Sequence, residues 1–195
     1  MEYALDINRR YTYADYMTWV DDKMRELLNG FVRLMSPAPT LKHAVILRKL
    51  LTEMLNFVEK SNGDCQIFFA PFDVRFPTKP EEKEDDKIYT VLQPDICVIC
   101  DQSKLDERGC LGAPDMVVEI LSLSSQRYDL NEKFNIYQAG GVKEYWVISP
   151  KEKGMIVFIL QENGKYDAGT VYEGNMQVPV QTLQGLSINT EKLFI

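Results

Sequence analysis

The chain has 195 residues, 45% of them hydrophobic and 26% charged, the make-up of a single globular core and not of a disordered or fibrous chain. No window approaches the ~18 consecutive apolar residues of a membrane span, and MEYALDINRR lacks the basic-then-apolar start of a secretory leader, so a cytoplasmic chain with no membrane partner is expected. With 29 acidic against 22 basic residues the formal charge is −7, which works against loose electrostatic attachment to DNA, RNA or anionic lipid and requires any nucleic-acid contact to use a local patch.

In chain order, YTYADYMTWVDDKMRELLNG sets Tyr16, Val20 and Leu27 among charges, offers Thr12 and Asp15 as caps, and predicts a helix stopped by Gly30. FVRLMSPAP is extended and stopped by Pro37 and Pro39. Thr40 then caps a long helix running to about Lys60, with Ala44, Leu47, Leu51, Met54 and Val58 as its buried stripe and Asn62-Gly63 as its end. From Cys65 to Phe76 the pattern is extended, and Phe72, Val74 and Phe76 alternate with Asp73 and Arg75 as in a half-buried strand. Lys79 to Lys87 has no apolar residue and reads as a solvated loop.

VLQPDICVIC and APDMVVEIL follow as two buried strands, each with an Asp near its start, separated by a polar turn holding Gly109 and Gly112. Ser124 or Ser125 caps the next helix, Asp129 lies in its first turn, and Gly140-Gly141 ends it. VKEYWVIS is a further strand, and MIVFIL and KYDAGTVYE form a hairpin through Glu162-Asn163-Gly164. The order calls for a mixed sheet with helices packed on it, an α/β chain.

Several chemistries drop out. A lone histidine, His43, rules out sites built from two or three imidazoles, and no nucleophile elbow accompanies it. Without GxxxxGK[ST] or GxGxxG, no nucleotide cofactor is expected. Cys97-Val-Ile-Cys100 spells CxxC, but an odd offset in a strand points the two side chains to opposite faces, and Cys65 and Cys110 supply no second pair. A core this size needs no bridges, so buried, reduced thiols are expected.

What remains is a set of acids in apolar strands, where an unpaired charge is costly. Asp95 follows Pro94, and Glu119 sits within MVVEIL. On adjacent strands the two carboxylates can converge on one divalent cation, a hard ion that prefers oxygen and keeps several waters. Asp115 shares Glu119's strand but lies four residues away, roughly 13 Å at ~3.3 Å per residue, and reads as a strand-start or supporting residue. Asp129, Lys133 and Tyr137 follow at i, i+4 spacing on one helix face, from which Lys133 can reach the sheet; the alternative is a surface Asp129/Lys133 pair.

RELLNGFVRLMSPAP, LKHAVILRKL, FDVRF, QPDICVI, APDMVVEILSLSS and YDLNEKFNIYQAGGVKEYWVISP, in this order, resemble the Uma-two type restriction endonuclease family of bacteria, a branch of the PD-(D/E)XK nuclease superfamily. The resemblance implies one PD-(D/E)XK nuclease-like domain over 1–195. Its core would be restriction-endonuclease-like, αβββαβ, with an N-terminal helical and strand extension and a C-terminal hairpin. It also implies a Mg²⁺-dependent endonuclease acting on DNA, Mn²⁺ substituting, with Asp95, Glu119 and the Ile120 carbonyl as metal ligands. The superfamily's lysine stands two residues after the glutamate, where this chain has Leu121; related branches carry it on the following helix, which maps it onto Lys133.

Glu26 and His43 also match the family pattern. Glu26 would be a further ligand or acceptor, against a surface helix glutamate; His43 would meet a phosphate, against a structural or capping histidine. Asp73 is kept as a site residue, against pairing near Arg75 or facing solvent. A homodimer is expected by analogy, since cutting two strands needs two sites. The alternative function is a catalytically inactive nuclease-fold module that binds DNA or another partner.

Overall fold

The computed structural model describes residues 5–6, 8–35, 39–61, 63–79, 81–122 and 128–194, with 128–130 as backbone only. Thr12 Oγ1 accepts the Asp15 N–H while the Asp15 carboxylate accepts the Thr12 N–H, and this capping box opens a single helical turn, α1 (Tyr13–Tyr16). The predicted helix goes no further. Instead β1 (Arg25–Leu28) and β2 (Phe31–Leu34) form an antiparallel hairpin turned by Asn29 at φ 53° and Gly30 at φ 90°, the left-handed pair that a type I′ turn needs. All four residues of β1 are buried, because Leu28 packs into one core and Leu27 into another; a one-faced helix cannot do that.

Thr40 does cap α2 (Leu41–Ser61), its Oγ1 accepting the His43 N–H. The buried face is His43, Ile46, Leu50 and Met54, with Leu47, Leu51 and Val58 at its margin and Ala44 exposed, so the predicted stripe is rotated off its true centre. The chain continues through β3 (Gln66–Phe69), β4 (Val74–Phe76), β5 (Thr90–Leu92), β6 (Ile96–Ile99), β7 (Leu105–Asp106), β8 (Gly109–Leu111) and β9 (Met116–Ile120). After α3 (Tyr128–Gly140) come β10 (Glu144–Ser149), β11 (Gly154–Ile159), β12 (Thr170–Glu173), β13 (Gln177–Pro179), β14 (Ser187–Asn189) and α4 (Thr190–Leu193). The expected caps Ser124 and Ser125 and the side chain of Asp129 lie outside the described residues.

One six-stranded sheet runs β12-β11-β10-β9-β6-β3 and a second runs β2-β1-β5-β4-β8-β7. In the first, β3, β6 and β9 pair antiparallel, α3 crosses over, and β10 returns parallel to β9. With α2 in front, this is the αβββαβ order, the second sheet being built from the hairpin and from the excursions between β3 and β9. Alternation divides the first sheet's residues cleanly. Ile96, Val98, Met116, Val118, Trp146 and Ile148 face α2 and the β13–β14–α4 segment, while Cys97, Ile99, Val117, Tyr145 and Val147 face α3 and the second sheet.

Two further expectations are corrected. Val74, Arg75 and Phe76 are all buried, Arg75 completely, because Arg75 Nη2 donates to Asp106 Oδ1 at 2.6 Å and its guanidinium lies over the Tyr13 ring. Cys65 and Cys100 form a disulfide, while Cys97 and Cys110 are free and buried. The β3/β6 register sets Gln66 opposite Ile99, so the next pair along is Cys65 and Cys100, a juxtaposition invisible at a sequence separation of 35. Among the described residues no helix is long and apolar enough to cross a membrane.

Candidate active site

Glu119 is the fourth residue of β9 and, by alternation, points to the side shared by α3 and the second sheet. Glu26, the second residue of β1, has the parity of Leu28 and points back toward it. Lys133 on α3 joins them: its Nζ donates to Glu26 Oε1 and to Glu119 Oε1, each at 2.9 Å. Tyr137, one helical turn on, donates its hydroxyl to the same Glu119 Oε1 at 2.6 Å. The side chains of Lys133, Glu26 and Glu119 are only 11%, 7% and 13% exposed, so this ion-pair triad is an interior one.

Asp95 enters from the β6 side. The last β6–β9 pair is Ile96 with Val118; one step beyond, Asp95 Oδ2 accepts the Ile120 N–H at 2.7 Å in place of a backbone carbonyl. Since a strand residue's N–H and C=O share an edge, the Ile120 carbonyl faces the Asp95 edge too. Asp95 Oδ1 lies 3.1 Å from His43 Nε2, at the start of α2. His43 Nδ1 is buried with no hydrogen-bond partner among the described residues.

The hydrogen bonds continue outward from Glu26. The Gln93 N–H donates to Glu26 Oε1 at 2.8 Å, and Gln93 Nε2 donates to Asp73 Oδ1 at 2.8 Å. Tyr13 and Tyr16 donate their hydroxyls to the Asp73 carboxylate, each at 3.4 Å. Asp73 is therefore one residue removed from the triad, and Arg75 pairs with Asp106 and not with it. Asp115 stands apart at its strand start, held by Lys143 Nζ at 2.7 Å and by the Cys100 N–H at 2.8 Å.

The electrostatics are lopsided. Glu26, Asp95 and Glu119 bring three carboxylates against the single ammonium of Lys133. Burial, with the charges of Asp95 and Glu26 acting in the same direction, pushes the Glu119 carboxyl up to about 7 despite Lys133 beside it. For Lys133 burial alone would favour the neutral amine, but Glu119 and Glu26 outweigh it and hold the amine above the ordinary lysine range, hence charged. His43 is likewise raised: Asp95's hydrogen bond and charge overcome the opposing effect of burial.

Among the described residues no three or more His, Cys, Asp or Glu side chains form a preformed metal cage. The donor set that does exist, the carboxylates of Asp95 and Glu119 beside the Ile120 carbonyl in a site where acids outnumber bases, fits a hard divalent cation that keeps part of its water shell. Of the residues singled out in the sequence, Glu26, Asp95, Glu119, Lys133, His43 and Ile120 come together, Asp73 lies one link away, and Glu26 is a buried strand residue and not a surface helix glutamate. Gln93 joins the site although the sequence reading does not single it out; the signal it offers is a lone amide in the apolar run before Pro94-Asp95.

Comparisons with known proteins bear on this arrangement. The model of one family, Uma2, described as "Putative restriction endonuclease", matches residues 13–191. An uncharacterized protein of Synechocystis sp., slr1290, is 24% identical over 156 residues, covering 78% of this chain and 75% of that protein. The crystal structure of a "putative nuclease belonging to DUF820" from Anabaena variabilis matches with a TM-score of 0.74 at 21% identity, over 94% of this chain and 97% of that one. At that identity the structural likeness speaks for the fold.

Proposed function

The chain belongs to the Uma2 family, and from that premise and the site's geometry we propose that it is an endonuclease hydrolysing phosphodiester bonds of DNA with a divalent cation. The observation that supports this most is the buried surplus of carboxylate beside one charged lysine. Asp95, Glu119 and the Ile120 carbonyl would hold the ion, Mg²⁺ or in its place Mn²⁺. Bound there, it neutralises charge on phosphoryl oxygens and makes water more acidic.

The chain's own residues do the positioning. An ammonium has three N–H bonds, and Lys133 commits two of them to Glu26 and Glu119. The third serves to orient an attacking water or to meet a phosphoryl oxygen; being charged, Lys133 acts as a donor and not as a base. Glu26, fixed by the Gln93 N–H, and Tyr137, bonded to Glu119, keep that ammonium and that carboxylate in place, and His43 does the same for Asp95. Cutting both strands would use two copies of the chain.

The test is cleavage of supercoiled plasmid and linear duplex with Mg²⁺ or Mn²⁺. The parent should cut, Asp95→Asn and Glu119→Gln should be inactive, and Lys133→Met should lose roughly 10²-fold or more in rate. A parent that cuts no plasmid, linear duplex, single strand or branched DNA near neutral pH would make the chain a nuclease-fold binding module instead.

A further inference from the structure

We propose that Arg33 is a substrate-binding residue of this site, its guanidinium taking a backbone phosphate of the DNA strand that lies over Asp95 and Glu119; this rests on the nuclease reading above. Arg33 is the third residue of β2, directly opposite Glu26 in the hairpin register. Directly opposed residues put their Cβ atoms on one face ~4.5–5.5 Å apart, so Arg33 stands on the face that carries Glu26 into the site. From there it reaches α3, where its Nη2 lies 3.7 Å from Oε2 of Glu132, the neighbour of Lys133. The hairpin thus delivers one residue to the interior of the site and its cross-strand partner to the rim.

The rim position matters because of the charge beneath it. Glu26, Asp95 and Glu119 outnumber Lys133, and a divalent cation held there would offset that surplus only locally, so with the whole chain at −7 a phosphodiester approaching the site is helped by a cation at the rim. Arg33 offers the planar fork that matches two phosphate oxygens. Its side chain is 53% exposed and Glu132's 31%, so their pair is solvated and easily exchanged for another anion. Glu132 acts here as a competitor: it holds the guanidinium at the rim and yields it to phosphate.

This makes the two partners of one ion pair differ in sign. Binding of a fluorescent duplex oligonucleotide is measured with Ca²⁺ present, across a salt series. Arg33→Gln should weaken binding about tenfold and shorten the slope of log affinity against log salt by ~0.9, the loss of one phosphate contact. Arg33→Lys should restore the slope and part of the affinity. Glu132→Gln, which frees Arg33, should strengthen binding. All three should keep the parent's metal-induced rise in melting temperature. If Arg33 matters only as a structural partner of Glu132, Arg33→Gln and Glu132→Gln will move binding together or not at all, and the proposal is overturned. A parent that cleaves DNA while Arg33→Gln matches it in affinity and slope overturns the Arg33 assignment alone; a parent that neither binds nor cleaves DNA overturns the nuclease reading and this proposal with it.

Discussion

Two buried glutamates sit one strand apart in the same sheet and are used in opposite ways. Glu144 opens β10, 1% exposed, and each of its bonds comes from a neutral donor: Oε1 accepts from Trp146 Nε1 at 2.8 Å and from the Gln181 N–H at 3.1 Å, and Oε2 accepts from the Thr182 N–H at 2.7 Å. It fastens the segment after β13 to the sheet. Glu119, near the end of β9, has a lysine and a tyrosine on one oxygen and two further carboxylates nearby. Burial of an acid is common to both; what separates them is whether neutral N–H groups saturate the carboxylate or like charge crowds it. A fastening needs the first, and a cation site needs the second.

The comparison can be broken at either glutamate. The largest effect is expected from Glu144→Ala, which leaves the buried Trp146 Nε1–H and the part-buried Gln181 and Thr182 N–H groups without their acceptor and should lower stability by about 3–5 kcal/mol in urea unfolding, with cleavage per folded molecule unchanged. Lys133→Met should cost about 3 kcal/mol in metal-free protein, because it leaves Glu26 and Glu119 without their cation, yet the metal-induced rise in melting temperature should survive, the lysine offering no ligand. That rise itself corresponds to about 2.7 kcal/mol at a hundredfold excess of Mn²⁺ over its Kd, and it should vanish in the double variant Asp95→Asn/Glu119→Gln.

The smallest effect is a slope. Glu119 titrates near 7 in the folded chain against 4.5 ordinarily, so the folded state holds this proton more tightly and the group's contribution to stability rises as pH falls from 7 toward 4.5. Glu119→Gln should remove that contribution. Equal pH profiles for parent and variant between pH 5 and 7 would contradict the crowding of charge around Glu119.

How much of this was legible in the sequence follows the range of the interactions. The α2 cap is local, three residues from Thr40 to His43, and is legible in the sequence, as is the strand β9 that carries Glu119, whereas VLQPDICVIC, which reads as one strand, is broken at Gln93-Pro94-Asp95 into β5 and β6 of different sheets. The extended reading of FVRL agrees with β2, but β1 reads as helix because Gly30 looks like a helix stop; Asn29-Gly30 is the same dipeptide that marks the turn at Asn163-Gly164, and only burial on both faces of β1 decides between the two readings. Glu26 consequently changed from a helix surface to a strand interior. The Glu26–Lys133 contact spans 107 residues and the Gln93–Glu26 contact 67, and no periodicity within either segment encodes them. Glu119 stands out in the sequence between Val118 and Ile120, while Glu144, next to Lys143 at a strand start, does not. That Glu144 is nonetheless buried follows from partners brought from elsewhere in the fold.

The central claim is that Asp95 and Glu119 hold a divalent cation, and diffraction from crystals grown with Mn²⁺, collected at a wavelength where manganese scatters anomalously, tests it most directly. The account predicts one anomalous peak with an oxygen of Asp95 and an oxygen of Glu119 each ~2.0–2.3 Å away, in the range of a hard divalent ion with oxygen ligands, and the Ile120 carbonyl completing the protein ligands. A Mn²⁺ ion bound elsewhere on the chain, with Lys133 still bridging Glu26 and Glu119 and no peak between the two carboxylates, would contradict it.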